Sequence, residues 1–321
     1  MKVFIVGLGL VGGSLALALK KQGSVTEVLG AELGEENQRL ALERGLCDRL
    51  VSFEEGVEAA DLTVLATPVD TIPLLAVKAL NRINDHQTVI DVGSTKGELC
   101  EVISQHARRN RFVAIHPMWG TEYSGPKAAV EGAFTGRTVV VCEAGKSAED
   151  ALQTVQQLFV TLGMNPVWME AEEHDLHAAY VSHISHITSF ALANTVLEKE
   201  REERHIFDLA GGGFESTVRL AKSSSSTWVP ILMQNKYNVL DVLREHIHQL
   251  QLMRRMIERD DEAGLREFIS GANAIQRIIL LIFTLLGIAR SLYGHCLYLH
   301  IIIAMSIEPL NGTICKIEWN I

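Results

Sequence analysis

The sequence has little of what a nucleic-acid binder, a disulfide-stapled secreted domain or a zinc module requires. It contains no run of Lys or Arg, and 29 basic residues against 39 acidic ones leave a formal net charge of −10 at pH 7. A protein that neutralises phosphates along a nucleic-acid backbone needs a net basic face. Nucleic acid is therefore not an expected partner, although a local basic pocket for a small anion remains compatible with this charge. The five cysteines, Cys47, Cys100, Cys142, Cys296 and Cys315, are odd in number, scattered and free of C-x-x-C spacing. That speaks against a disulfide framework and against a zinc site, and for a reducing compartment. No internal repeat is visible. The first apolar run, residues 3–6, leads into a glycine turn instead of a cleavage site, so the expected location is the cytoplasm.

What the chain does have is length and apolar content. Its 321 residues, 47% hydrophobic and 21% charged, suffice for two domains with proper cores. Over residues 1–169 short apolar runs recur at 3–6, 28–31, 62–66, 89–92, 113–115, 139–141 and 166–169. Helical stretches at 14–22 and 35–44 separate the early ones, closed by Gly23 and Gly45 as left-handed caps. Strands alternating with helices predict an α/β fold, a Rossmann-type, doubly wound and mostly parallel sheet.

Residues 170–277 contain no convincing strand and read as long helices, interrupted by Gly211-Gly212-Gly213 and by Ser223-Ser224-Ser225-Ser226. An all-helical second domain is expected. Its first helix carries small and apolar residues from Ala178 to Leu197, more than a helix needs against its own domain, which predicts a homodimer interface. Residues 278–321 form an atypical tail. Between Ile278 and Ile307 it is strongly apolar with Arg290 as its only charge. Its length would suffice for a membrane span of about 20 residues, but Gly287, Arg290, Gly294, His295 and His300 divide it into shorter pieces. These suit a buried hairpin or a non-native extension better than a span.

The chemistry starts at Gly7-Leu8-Gly9-Leu10-Val11-Gly12, which follows the first strand and opens the first helix. In that context the pattern is a dinucleotide-binding turn. Gly7 permits the tight turn, Gly9 lets a pyrophosphate approach the backbone, and Gly12 lets helix and strand pack closely, with free helix-start N–H groups facing the anion. Glu32 ends the second strand about 20 residues later, where a carboxylate accepts hydrogen bonds from ribose hydroxyls and repels a 2′-phosphate. No Arg or Lys follows within Leu33-Gly34-Glu35-Glu36 to pair with such a phosphate, so NAD is favoured over NADP. Thr67-Pro68 and Ser94, the latter within Asp91-Val92-Gly93-Ser94-Thr95-Lys96, lie at later strand ends, where open sheets place ligands. They are expected on the nicotinamide side.

The next strand end delivers His116-Pro117-Met118-Trp119-Gly120-Thr121-Glu122, and an imidazole near the Ser94 hydroxyl is a candidate proton acceptor. In the helical region His174, His177, His183 and His186 invite a metal reading. At about 100° per residue, His174 and His177 share one side while His183 and His186 face the other, so the four do not converge. His186 instead shares a mostly apolar stripe with Ala179, Ser182, Phe190 and Ala193, which points it into the interface between domains. The loop Gly211-Gly212-Gly213-Phe214-Glu215-Ser216-Thr217-Val218-Arg219 opens a helix with Arg219 two turns in and Trp228 beyond the serine run. An arginine there is suited to grip a carboxylate through two parallel hydrogen bonds.

Taken together, the glycine turn, residues 91–96, 116–122, 182–186 and 211–219, and Trp228 resemble, in order and spacing, the prephenate/arogenate dehydrogenase family of tyrosine biosynthesis. The resemblance covers residues 1 to about 277. It implies oxidation of a ring carbon by hydride transfer to NAD, loss of the ring carboxylate as carbon dioxide, and aromatisation as the driving force. It further implies that His116 accepts the proton of the ring hydroxyl, that Ser94 orients His116 and touches the nicotinamide, and that Arg219 binds a substrate carboxylate. His186, Glu122, Gly213 and Trp228 are implied to hold, tune or wall the substrate site. Trp119, bulky where many members carry a small residue, and Ser216, where an acidic residue is frequent, depart from the family pattern. So does the tail after about Arg277, which resembles neither the family's usual end nor a regulatory amino-acid-binding domain. Two other readings are a dehydrogenase of the β-hydroxyacid dehydrogenase/imine reductase type, which relies on a helical Lys or Asp that does not stand out here, and a non-catalytic NAD sensor, which would not need His116 and Arg219 together.

Overall fold

The structure, a computed structural model, describes residues 1–293, with side chains to residue 279. Each of the seven apolar runs is a strand. They are β1 (Lys2–Val6), β2 (Glu27–Ala31), β4 (Leu62–Leu65), β5 (Thr88–Asp91), β6 (Phe112–Pro117), β7 (Thr138–Cys142) and β8 (Asn165–Met169), and an eighth, β3 (Arg49–Leu50), lies at one sheet edge. The order is β3-β2-β1-β4-β5-β6-β7-β8, parallel except where β7 meets β6. The expected doubly wound sheet is thereby met.

The strands read as continuous apolar runs because both sheet faces are covered. Val3, Ile5, Val64, Ile90, Val113 and Ile115 face one core with Leu15, Leu19 and Phe159, while Phe4, Leu65, Val89, Phe112 and Ala114 face the other with Ile72, Leu80 and Ile103. Phe4, Phe112 and Phe159 are almost wholly buried, each contributing about 1.5–3 kcal/mol over an exposed ring. The covering helices are α1 (Leu10–Lys21), α2 (Glu35–Glu43), α3 (Phe53–Ala59), α4 (Ile72–Leu80), α5 (Gly97–Ile103) and α6 (Glu149–Leu162). Gly23 and Gly45 have the expected left-handed φ, 62° and 64°.

After β8 the described elements are helical. They are α7 (Ala171–Ala178), a π-turn (Ala179–His183), α8 (Ile184–Glu200), α9 (Gly212–Val218), α10 (Ser225–Gln234), α11 (Lys236–Glu258) and α12 (Glu262–Tyr293). Ala171 of α7 and Ile231 of α10 enter the second core of the sheet, so these two helices are packed onto the strands. The chain divides into two compact units, Met1–Gln249 and Leu250–Ile321, and the residues of the candidate active site all lie in the first. Within the second, α12 runs unbroken across Arg277 and Gly287, where a change of character and an interruption are expected from the sequence. Gly294, His295 and His300 lie outside the described residues. Among the described residues no helix is long and apolar enough to cross a membrane.

Candidate active site

The sheet order reverses direction at β1 and β4, and the turn after β1 opens into the crevice there, the place where doubly wound sheets bind ligands. Gly7 has φ +90°, and a Cβ on it would lie 2.7 Å from the Ala66 carbonyl oxygen. At Gly12 a Cβ would lie 2.0 Å from the Gly7 carbonyl oxygen. Neither position tolerates a side chain. Gly9 differs, because a Cβ there would meet nothing nearer than 3.9 Å; its bareness leaves open space beside the start of α1. No side chain caps that helix, so its first-turn N–H groups are left for an anion. Glu32 folds back over the turn: its carboxylate accepts from the N–H of Leu8 at 2.7 Å and of Leu33 at 3.0 Å. Leu10 and Val11 are half-buried in the first turn of α1. At the neighbouring strand end Thr67 accepts from the Thr71 hydroxyl at 2.7 Å, and Pro68 is exposed. An open anion-binding helix start beside an acidic residue fits a dinucleotide.

Two strands away, parallel pairing of β5 with β6 in the register Asp91↔Ala114 brings the loop holding Ser94 and the end of β6 holding His116 to the same edge. His116 is buried, and its Nδ1 lies 2.8 Å from Nε2 of His174 on α7. His174 Nδ1 lies 2.8 Å from the Asp175 carboxylate, which also accepts from the N–H of Lys96 and of Gly97, both at 2.8 Å. Lys96 is fully buried, its ammonium donating to Asp91 at 2.5 Å and to the Gly93 carbonyl at 2.7 Å. Burial, reinforced by the charges of His174, Lys96 and His183, holds the His116 pKa well below its ordinary value of 6.5. Burial likewise lowers His174, against the pull of Asp175. Asp175 stays below the usual carboxylate range: burial alone would raise it, but His174 and the two backbone donors outweigh that. The imidazoles are thus neutral and the carboxylate charged.

The helical residues form a second tier. Asn235 donates to the Asp175 carbonyl at 2.6 Å and lies 3.2 Å from His183 Nδ1. Burial pushes His183 down to about 4. The ring of His186 stacks on Trp228, centroids 3.4 Å apart, and its Nδ1 meets the Ser182 carbonyl at 3.1 Å. Arg219, half exposed, pairs with the nearly buried carboxylate of Glu122 at 2.7 Å. Gly213 is exposed, and its carbonyl accepts from Ser216 and Thr217 at 2.9 and 2.8 Å.

A family model described as the prephenate dehydrogenase nucleotide-binding domain matches residues 15–167, and one described as the prephenate dehydrogenase dimerization domain matches residues 170–270. Prephenate dehydrogenase of Bacillus subtilis is 33% identical over 273 residues, which is 84% of this chain and 74% of that protein. The chain belongs to the prephenate dehydrogenase family. Among solved structures, prephenate dehydrogenase from Aquifex aeolicus, in complex with hydroxyphenyl propionate and NAD+, superposes with a TM-score of 0.79 at 30% identity, covering 87% of this chain and 98% of that one. Arogenate dehydrogenase from Synechocystis shares the fold with a TM-score of 0.69 at 24% identity, covering 87% and 100%. The family reading is met, and with it that of an NAD-dependent dehydrogenase.

Set against this family, the two single-residue departures have different locations. Trp119 lies edge-on to Phe134, ring centroids 5.7 Å apart, and packs on the first core; its bulk goes into the fold. Ser216 is exposed on α9 and donates to the Gly213 carbonyl, so among the described residues Glu122 is the carboxylate paired with Arg219. Two local expectations change. Ser94 makes no hydrogen bond among the described residues, and the side chain holding His116 is His174. The expected pairing of His174 with His177 is also not found: His174 and His183 are buried while His177 is exposed. The π-turn inserts one extra residue and rotates the helix beyond it, so a regular helical period misplaces His183. His174, Asp175 and Asn235 carry no role in the sequence reading. The adjacent His-Asp pair was the visible signal, but only the packing of α7 against the end of β6 gives it meaning.

Proposed function

We propose that the chain catalyses the NAD-dependent oxidative decarboxylation of prephenate to 4-hydroxyphenylpyruvate, or of arogenate to tyrosine. The observation that carries the reading is His116, a buried imidazole at the carboxyl end of β6, one strand from Ser94, whose burial disfavours the charged ring. A neutral ring is the form that accepts a proton, here the proton of the ring hydroxyl as that carbon is oxidised. Gly7, Gly9, Gly12 and Glu32 would hold NAD, with Thr67, Pro68 and Ser94 toward the nicotinamide. When bound, it supplies the hydride acceptor. Arg219, paired with Glu122, offers a guanidinium for a substrate carboxylate. His186 stacked on Trp228 forms a flat wall suited to a cyclic substrate. For a dianionic substrate the Arg219 cation matters, since the chain as a whole carries −10.

The test is to mix the purified full chain with NAD and either prephenate or arogenate and to follow reduced-cofactor absorbance and carbon dioxide release. Turnover with at least one substrate is expected, and the ratio of the two kcat/KM values ranks them. Folded protein that turns over neither overturns the reading. A homodimer through the helical region belongs to the same proposal. On α8 only Ser189 is buried, and Tyr180, Val181, Leu197, Val229, Met233 and Tyr237 are large apolar groups left exposed in this part of the chain. Sedimentation equilibrium at twice the chain mass supports it; a monomer at all concentrations contradicts it.

A further inference from the structure

We propose that Asp175, acting through His174, fixes which ring nitrogen of His116 carries the proton, leaving Nε2 unprotonated as the proton-accepting atom. The inference rests on the reading of His116 as the base and adds the device that readies it. A neutral imidazole has one N–H and one bare nitrogen, and which is which is set by the bonds it makes. Asp175 is an ionised carboxylate already accepting from the N–H groups of Lys96 and Gly97 at 2.8 Å, so it can only accept from His174. The proton of His174 therefore sits on Nδ1, 2.8 Å from the Asp175 oxygen. Its Nε2 is then bare and can only accept. His116 Nδ1, 2.8 Å from that nitrogen, must donate. A neutral His116 with its proton on Nδ1 has its lone pair on Nε2.

Two further observations agree. Among the described residues Nε2 of His116 has no hydrogen-bond partner, and it is not one of the buried polar atoms left without one, which are Asp91 Oδ1, Arg109 Nε and Ser223 Oγ. The bare nitrogen is on the open side of the ring. The alternative, a charged His174 donating from both nitrogens, is opposed by its burial and by the Lys96 ammonium. The groups facing the pair are Asp91 at the end of β5, Lys96 from the loop that follows, His183 from the π-turn and Asp175 itself. The same carboxylate grips the backbone of the loop carrying Ser94, so one side chain sets both the loop and the base. Asp175 is thus a positioning residue, not a group that touches substrate.

The experiment is nitrogen-15 NMR of the full chain labelled in histidine, with the His116 signals assigned by their loss in His116→Asn. At pH 7.5 a protonated Nδ1 and a bare Nε2 are expected; the reverse tautomer overturns the proposal. Asp175→Asn should give a mixture of tautomers and a kcat lower by roughly tenfold or more, as for other imidazoles that lose the carboxylate setting their tautomer, with KM within about twofold. An unchanged tautomer and kcat also overturn it. Should Asp175→Asn fold poorly through loss of the Lys96 and Gly97 contacts, His174→Gln and His174→Leu leave those contacts in place. Gln keeps an acceptor for His116 Nδ1 and should recover part of the turnover that Leu loses, whereas equal activity of the two rejects the relay. The tautomer readout needs no turnover. If His116→Asn proves fully active, the base assignment fails on its own, separately from the relay.

Discussion

The glycine turn and the histidine relay are both built at strand ends of one sheet, but they are assembled differently. In the turn, the Leu8–Glu32 hydrogen bond spans 24 residues, Gly12 is held bare by the nearby Gly7 carbonyl, and Gly7 by its own φ of +90° and by the Ala66 carbonyl of the next strand. In the relay, His116 and His174 are 58 residues apart, Lys96 and Asp175 are 79 apart, and Asp175 and Asn235 are 60 apart. The first is built within the sheet domain, from β1, α1 and the ends of the two strands beside β1. The second exists only once α7 and α10 have packed on the sheet. Damage to the first should therefore show in cofactor choice and binding, and damage to the second in turnover and in the acid stability of the folded chain.

The largest effect should come from the relay. His116→Asn is expected to lower kcat about 100- to 10,000-fold, the range for losing a positioned proton acceptor, with substrate KM nearly unchanged; steady-state kinetics with saturating NAD checks both. Because the His116 pKa lies below 6.5, the ring remains neutral as pH falls past that value, so the acid limb of kcat/KM should lie below pH 6.5. A limb above it would mean that the titrating group is elsewhere. His183 gives the next effect. It is buried neutral with a pKa of about 4, against an ordinary 6.5, so below pH 6.5 the unfolded chain binds a proton that the folded one refuses. Stability is then fully present above pH 6.5 and is lost as pH falls toward 4, by up to about 3 kcal/mol from this ring. Denaturant midpoints measured from pH 7 to pH 4 should fall less in His183→Asn than in the unaltered chain, and parallel curves would remove His183 as a cause.

The same contrast explains what the sequence makes legible. The seven apolar runs stand out because strands buried on both faces must be apolar throughout, whereas Arg49 and Leu50, a two-residue edge strand, leave no such trace. Gly7, Gly12 and Glu32 are readable because backbone crowding and a short loop demand them locally. His116 is readable as a residue but not as a geometry, since its partner sits on a helix that nothing local ties to β6. The π-turn is invisible for another reason: no glycine or proline marks Ala179–His183, and one extra residue is enough to turn His183 inward beside Asn235. Trp119 is the converse case, a departure plain in the sequence whose bulk is explained only by its packing on Phe134.

Between the two regions stands Arg219, whose pairing with Glu122 joins the loop after β6 to the helices. Arg219→Gln should raise KM roughly ten- to hundredfold with a much smaller change in kcat, matching the roughly 1.5–3 kcal/mol of a hydrogen bond to a charged group. Loss confined to kcat would move Arg219 from substrate binding to the chemistry and make it part of the relay's account.

The smallest effect probes the turn alone. Glu32→Ser removes the carboxylate that accepts from Leu8 and Leu33 and would repel a 2′-phosphate, without touching any residue of the relay. The ratio of kcat/KM with NADP to that with NAD should rise roughly tenfold, about 1.4 kcal/mol, through weaker NAD binding and tolerated phosphate, while kcat at saturating NAD stays near its original value. A shift in kcat of the same size would show that the turn and the relay are coupled through the loops at 67–71 and 93–97, where Gln234 links Thr95 to the Val69 carbonyl. An unchanged cofactor ratio would leave Glu32 as a brace for the glycine turn and nothing more.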